Sequence, residues 1–403
     1  MRVAILGYGA EGKAVEKYLK KHEPGVKPVI LDQKLDPNYL SRLREFDIVY
    51  RSPGVLYKLP EIQRAGWRGV KITSATNLFF EKARGVTIGV TGTKGKGTTS
   101  ALIYEILKAA GKKVFLGGNI GDPAINFLDE LTNDSFSVLE LSNLQLWDIK
   151  YSPHIAVVLD IFPDHMDWHK NFREYFGTKL NIIKRQTKSD FVFYAPENKF
   201  VKRIARRSRG KKIAVKAGSL PFELKIVGPH NLKNASMAAA VCAHLGVRPD
   251  IILNAVKNYK GLPCRLTRTA EKKGVTYYND SASTNPQTTI AAVKSFPGAY
   301  KVLIAGGKDK GLDYSPLGEA TAHEKMRLVI LMGENKSKIK SALSSNIKIK
   351  TAKTLKEAVQ LARKNAQEGD IVVFSPGAAS FDMFKNYQDR GEQFDKIVKK
   401  LGG

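Results

Sequence analysis

The nine residues Thr91-Gly92-Thr93-Lys94-Gly95-Lys96-Gly97-Thr98-Thr99 hold three glycines, two lysines and four threonines, the residue types that receive phosphate. Backbone N–H groups from Gly95 to Gly97 would face the β- and γ-phosphates of a nucleotide. Lys96 would add a point charge, and Thr98 or Thr99 a hydroxyl for Mg²⁺. The strict GxxxxGK[ST] pattern is not met, since its first glycine falls on Val90 and Gly97 takes the hydroxyl position. Context carries the reading instead: the apolar run Val86 to Val90 precedes the loop and a helical pattern begins at Ser100. Strand, glycine-rich turn and helix N-terminus then form an anion cradle, and ATP is the expected ligand.

Carboxylates and a histidine are expected beside that cradle. Glu140 ends the apolar run in Ser137-Val138-Leu139-Glu140-Leu141, at the carboxyl edge of a strand, where parallel sheets hold ligands and where an acid suits Mg²⁺. Asp164-His165-Met166-Asp167 follows the run Ile155 to Asp160 and would put His165 at the same edge. A second glycine motif, Gly7-Tyr8-Gly9-Ala10-Glu11-Gly12, follows Val3 to Leu6 as GxGxxG, and Asp32 closes the next strand where a ribose-binding acid would stand. Taken alone, that motif predicts a dinucleotide and an NAD-dependent oxidoreductase.

The elements that must position these residues alternate in type along the chain. Short apolar runs at Val3–Leu6, Val29–Leu31, Ile48–Tyr50 and Val70–Ile72, with a helical stretch at Lys13–Lys20, predict a small parallel-sheet domain over residues 1–85. Residues 86–262 carry strand-like runs at Val114–Leu116, Val138–Leu141, Ile155–Leu159 and Phe191–Tyr194, and a long helix at Ala235–Leu245. From Pro263 the alternation resumes, with strands at Val275–Tyr278, Val302–Ala305, Leu328–Met332 and Ile371–Phe374. The predicted class is α/β in three domains, as expected for 403 residues, which exceed what one core of roughly 250–300 residues supports.

No apolar stretch approaches a membrane span of roughly 20 residues, and the N-terminal run is too short for a secretory signal, so a cytoplasmic location is expected. Cys242 and Cys264 form neither a CxxC pair nor a zinc site and read as ordinary thiols. The net charge of +28 favours anionic ligands and equally raises non-specific attraction to nucleic acid. The densest basic run, Lys199 to Lys216, lacks interleaved aromatics for base stacking, so it reads as a solvated surface.

Taken in order and spacing, these motifs resemble the Mur ligase family over essentially the whole chain. The resemblance is carried by the loop at 91–99, Gly118-Asn119-Ile120-Gly121, Glu140-Leu141-Ser142-Asn143-Leu144-Gln145-Leu146 and Asp164-His165-Met166-Asp167. Gly228-Pro229-His230-Asn231 with Asn234 and Asn279-Asp280-Ser281 add to it. The segment Ser375 to Tyr387 followed by Arg390-Gly391 is closest to the member that adds D-glutamate. The resemblance implies a Rossmann-like N-terminal domain for the UDP of the substrate, a central P-loop ATPase-like domain, and a Rossmann-like C-terminal domain for the amino acid. It implies a monomer with small-molecule substrates and no specific nucleic-acid partner.

The implied reaction is ATP- and Mg²⁺-dependent amide formation between UDP-N-acetylmuramoyl-L-alanine and D-glutamate through an acyl phosphate, a step of peptidoglycan precursor synthesis. By position, Lys96, Glu140, His165 and Lys179 match catalytic residues. Lys179 matches the family lysine that CO₂ carbamylates, and with Thr98, Glu140 and His165 it would hold Mg²⁺. Gly92 to Thr99, Asn231, Asn234, Arg265 and Asp280 match the ATP site. Gly9, Ala10, Asp32, Gln33, Ser52, Pro53, Gly54 and Asn119 match the UDP-substrate site, and Thr284, Lys310, Ser380 and Tyr387 the amino-acid site. Ala282 stands where the family has a lysine, so Lys308 is expected to compensate; Tyr387 stands where Phe is common, and Asn143-Leu144 where Ser-Phe is. Another Mur-type or folylpolyglutamate-synthase-like ligase is the alternative enzyme, and a basic nucleic-acid-binding protein the alternative from another class.

Overall fold

The computed structural model describes residues 1–164, 168–218, 220–228 and 230–402. Among them, apolar runs bounded by glycine turns become sixteen strands in three sheets. The first sheet holds β1 (Val3–Leu6), β2 (Val29–Leu31), β3 (Ile48–Arg51) and β4 (Lys71–Thr73) in the order β2-β1-β3-β4, all parallel. The second holds β5 (Val86–Thr91), β6 (Val114–Gly118), β7 (Phe136–Glu140), β8 (Ile155–Val158), β9 (Phe191–Tyr194) and β10 (Lys211–Ala214) in the parallel order β10-β9-β8-β5-β7-β6. The third holds β11 (Thr267–Lys272), β12 (Val275–Asn279), β13 (Lys301–Ala305), β14 (Met326–Leu331), β15 (Ile349–Thr351) and β16 (Ile371–Phe374) in the order β11-β12-β16-β13-β14-β15, with only β11 antiparallel.

The chain divides into two compact units, Met1–Pro221 with Leu232–Lys257, and Phe222–Asn231 with Asn258–Gly403. In the first unit, two sheets share one core. The helices Ala10–His22 and Ala75–Lys82 send Ala14, Val15, Leu19, Leu78 and Phe79 against Ile125, Phe127 and Leu128 of the turn Ala124–Glu130. In the second unit, alternation along β13 separates two cores. Val302 and Ile304 pack with the helices Leu355–Asn365 and Tyr387–Lys399, while Leu303 and Ala305 pack with Pro286–Lys294 and Ser315–Ala322. A strand buried on both faces must be apolar throughout, with each large side chain contributing about 1.5–3 kcal/mol.

Two predicted bounds move for local reasons. Beyond the helix Pro60–Trp67, Val70 N–H bonds back to Ala65 O, so β4 starts at Lys71. The helix expected over 235–245 runs from His230 to His244, because Asn231 and Asn234 face partners along its first turns.

Candidate functional site

The phosphate loop joins β5 to the helix Lys96–Ala109. Gly95 caps this helix with φ 85°, and an added Cβ would stand 2.3 Å from Asn234 Oδ1, so both backbone and neighbour require glycine. Thr99 is fully buried, with its Oγ1 3.4 Å from that same Asn234 oxygen, whereas Thr98 is only half-buried. Of the two hydroxyls expected for Mg²⁺, Thr98 is therefore the more exposed. Lys96 Nζ donates to Gly92 O and Thr93 O, both at 3.1 Å, folding the lysine onto its own loop. Thr93 Oγ1 accepts from Phe162 N at 2.9 Å and stands 2.9 Å from Tyr175 Oη, which ties the loop to the segment before Asp164.

Register brings the carboxylate to this loop. Val90 of β5 lies opposite Glu140 of β7, and Thr91 opposite Val158 of β8. Glu140 is 3% exposed, and its Oε1 accepts from Asn119 Nδ2 at 2.8 Å. Asn119, expected at the UDP substrate, thus orients the acid. Lys179, on the helix Phe172–Leu180, is 1% exposed. Its Nζ donates to Thr91 Oγ1 at 3.4 Å and lies 4.9 Å from the Tyr175 ring centre. Burial pushes its pKa well below the usual lysine value, Lys96 pushes it further, and Asp164 and Glu140 oppose the shift. Lys96, Glu140 and Asp164 thus all act on one buried amine. His165 lies outside the described residues.

At the carboxyl edge of the first sheet, Gly12 packs the helix Ala10–His22 so close that an added Cβ would meet Gly7 O at 2.4 Å. A Cβ at Gly9 or Gly54, by contrast, meets nothing within 4 Å, so these glycines leave open space before the helix end. Asp32 accepts from Tyr8 N at 2.6 Å and Lys34 N at 2.9 Å, which holds its carboxyl below the usual range. Ser52 Oγ donates to Gly7 O at 2.6 Å. Both side chains shape the loop, while Ala10, exposed Gln33, and Pro53 with Gly54 line its rim.

In the second unit, Asp280 follows β12 and is buried. Its carboxyl accepts from Ser375 Oγ at 2.7 Å, from Leu266 N at 3.1 Å, and from Ser283 Oγ. Burial pushes its pKa up to about 6 despite these bonds and the nearby Arg265. Cys264 and Leu266 have φ of 62° and 48°, left-handed for non-glycine residues, so the exposed Arg265 is presented on a strained turn that Asp280 pins. Arg390 is fully buried. It donates to Ser281 Oγ at 3.0 Å, Ser281 O at 2.8 Å and Ala378 O at 3.1 Å, linking the ends of β12 and β16. Thr284, Lys310 and Ser380 lie on loops, and Tyr387 begins the helix Tyr387–Lys399, its O accepting from Ser281 Oγ. Lys308, expected to replace the cation missing at Ala282, has its Nζ on Glu334 at 2.7 Å.

Two family models match the chain, the Mur ligase middle domain over residues 90–215 and the Mur ligase glutamate ligase domain over 264–377. A UDP-N-acetylmuramoylalanine–D-glutamate ligase from Ruminiclostridium cellulolyticum is 34% identical over 452 positions, covering 99% of this chain and 97% of the relative. One from Aquifex aeolicus is 35% identical over 413 positions, covering 99% of each. The chain belongs to the Mur ligase family. Two solved Thermotoga maritima ligases share the fold at 18% identity and a TM-score of 0.63. The UDP-N-acetylmuramate-alanine ligase MurC covers the whole of both chains, and the MurF ligase, in complex with ADP, covers 99% of this chain and 95% of its own.

As a Mur ligase the chain is an enzyme, and the Mur ligase fold accounts for its three sheets. Within the first unit the structure brings Thr91, Lys96, Glu140, Asp164 and Lys179 together and keeps Asn234 against the phosphate loop. Asn231 Nδ2 is instead occupied by Val227 O at 2.7 Å. Sequence reading missed Arg51 and Asp148, an ion pair at 2.7 Å whose side chains are 1% and 2% exposed. The signal was present: a charge closing the apolar run Ile48-Val49-Tyr50 needs a buried partner. It also missed His169, which lies 2.8 Å from Asn143 Nδ2 and stacks on Trp147, and so gives the departure at Asn143 a local partner.

Proposed function

We propose that this chain joins D-glutamate to UDP-N-acetylmuramoyl-L-alanine, with ATP driving the reaction through an acyl phosphate. The observation that carries this reading is the buried Lys179 amine, acted on by Lys96, Glu140 and Asp164 beside a glycine cradle. The name shared by near-full-length relatives supplies the substrate pair. Three functional parts are proposed, with residues 1–85 receiving the UDP group, 86–262 the ATP and 263–403 the amino acid. A cytoplasmic monomer is proposed with them; no helix among the described residues is long and apolar enough to cross a membrane.

The reaction joins two anions, so charge must be neutralised first. Lys96, which rests on Gly92 O and Thr93 O, would turn with the N–H groups at the start of the helix Lys96–Ala109 to neutralise the transferred phosphoryl group. Hard oxygen donors at Thr98 and Glu140 fit Mg²⁺, which commonly takes one or two carboxylates and shares the remaining positions with phosphates and water. Mg²⁺ bound there would withdraw charge from the phosphate oxygens. The substrate carboxylate attacks the γ-phosphorus as the bond to ADP breaks. The amine of D-glutamate then attacks the acyl carbon, and inorganic phosphate leaves as the amine gives up a proton. Lys179, whose proton affinity burial lowers, would add its lone pair to CO₂ and release a proton; the resulting carbamate would be a further anionic oxygen ligand. Asn231, Asn234, Arg265 and Asp280 are assigned to the nucleotide, and Thr284, Lys310, Ser380 and Tyr387 to the second carboxylate of D-glutamate. Phosphate release from ATP with UDP-N-acetylmuramoyl-L-alanine tests the proposal. Release should require D-glutamate and fail with L-glutamate; equal release with another amino acid would overturn the assigned specificity.

A further inference from the structure

The glycine loop of the first sheet carries an acid that this chemistry leaves unused. Glu11 is the second residue of the helix Ala10–His22. Its Oε1 accepts from Gln145 Nε2 at 2.7 Å, and its Oε2 is buried with no hydrogen-bond partner. The side chain lines a small cavity with Thr76, Phe79, Pro123, Leu139, Leu141 and Gln145, whose walls are largely apolar. Gln145 in turn closes the helix start after Glu140: Ser142 Oγ accepts from Gln145 N at 3.2 Å, and Ser142 N donates to Gln145 Oε1 at 3.0 Å. Glu11 therefore touches both the loop with open space at Gly9 and the segment that leaves Glu140.

We propose that Glu11 is a positioning residue for the nucleotide-sugar substrate: through its bond to Gln145 it holds the glycine loop against the segment after Glu140 while the substrate's diphosphate docks at the same helix end. This rests on the proposed function, which places UDP at that edge. An ionised carboxylate would leave one oxygen dry among apolar carbons and set a negative charge beside the incoming anion. Burial pushes the Glu11 pKa up to about 7; the Gln145 bond and Arg51 draw it down, and Asp148 raises it. Arg51 and Asp148 are the charged side chains acting on it from the packed elements. They are bound to each other, so their opposed effects largely offset. A diphosphate nearby favours the neutral form further, so substrate and proton bind together.

The experiment compares wild type, Glu11→Gln and Glu11→Ala between about pH 6 and 9, measuring KM for UDP-N-acetylmuramoyl-L-alanine, kcat, and UDP binding by calorimetry. In wild type, KM should rise above about pH 7 by up to about tenfold per unit, the limit for one proton, with kcat unmoved. Glu11→Gln, which keeps an acceptor for Gln145 and cannot ionise, should abolish that rise. Glu11→Ala, which loses the bond, should raise KM at every pH. If wild type and Glu11→Gln give superimposable profiles while both bind UDP and turn over, the inference fails and the proposed function stands. If neither UDP nor the UDP-sugar binds wild type at any pH, both fail.

Discussion

Lys179 shows how one residue can be placed for chemistry at the expense of stability. Burial of the protonated amine costs free energy and Lys96 adds repulsion, so folding lowers its affinity for a proton. Because the folded pKa lies below the ordinary lysine value, the unfolded chain binds the extra proton between the two, and wild-type stability should climb as pH rises through that window. In CO₂-free buffer, Lys179→Met should remove this climb, raise the melting temperature at neutral pH by about 2–4 °C for each kcal/mol recovered, and abolish ligase activity. Calorimetry at several pH values with a phosphate-release assay checks it; a variant that melts lower than wild type at every pH would contradict the account. A similar division of labour separates Thr98 from Thr99. Residue type alone left either hydroxyl open, the family resemblance pointed to Thr98, and the Asn234 contact gives Thr99 a scaffold partner. Lys308, expected to compensate for Ala282, forms an exposed ion pair with Glu334, a partner 26 residues away.

At the scale of elements, the first two sheets are fastened near their carboxyl edges. Arg51, at the end of β3, donates to Asp148 and to Leu144 O on one side, and to Ser52 O and Val55 O on the other. The turn at Pro53-Gly54 and the segment after Glu140 therefore hang on one guanidinium. Asp148→Asn leaves that cation buried without its counter-charge and should cost about 3–5 kcal/mol, while a paired apolar replacement of Arg51 and Asp148 should recover most of it. Denaturant titration of the three proteins decides this, and a loss under about 1 kcal/mol for Asp148→Asn would show the pair to be dispensable. Thirteen strands were legible as apolar runs because parallel strands covered on both faces admit little else. The three that were missed, β10, β11 and β15, are all sheet edges. Lys211, Lys212, Arg268, Glu271 and Lys350 interrupt them, charges that discourage a further strand from pairing and also erase the apolar signal. The phosphate loop and Glu140 were legible because their chemistry is local to one βα turn and one strand end. The Glu11–Gln145 and Arg51–Asp148 contacts were not, because each spans roughly a hundred residues that only folding brings together.

Over the whole molecule, charge and core organisation make separate demands. A net charge of +28 repels itself and attracts any polyanion, but attraction without stacking aromatics gives binding that salt screens away, unlike the built sites at the sheet edges. Core organisation makes the stronger statement. The two compact units have separate hydrophobic clusters, so unfolding should depart from a single two-state step. The proposed ligand assignments then become separable. UDP, assigned to the loops around Gly9 and Gly54, should stabilise the unit containing residues 1–221 by about 2.7 kcal/mol at one hundred times its Kd. D-glutamate, assigned to Thr284, Lys310, Ser380 and Tyr387, should stabilise the unit containing residues 258–403. Differential scanning calorimetry with each ligand alone should therefore move one transition and leave the other in place. Hydrogen exchange, reading β1 against β13, identifies which unit has moved. A single transition raised equally by both ligands would mean that the cores melt together, and UDP protection confined to β13 would overturn the assignment of the nucleotide-sugar to the first sheet.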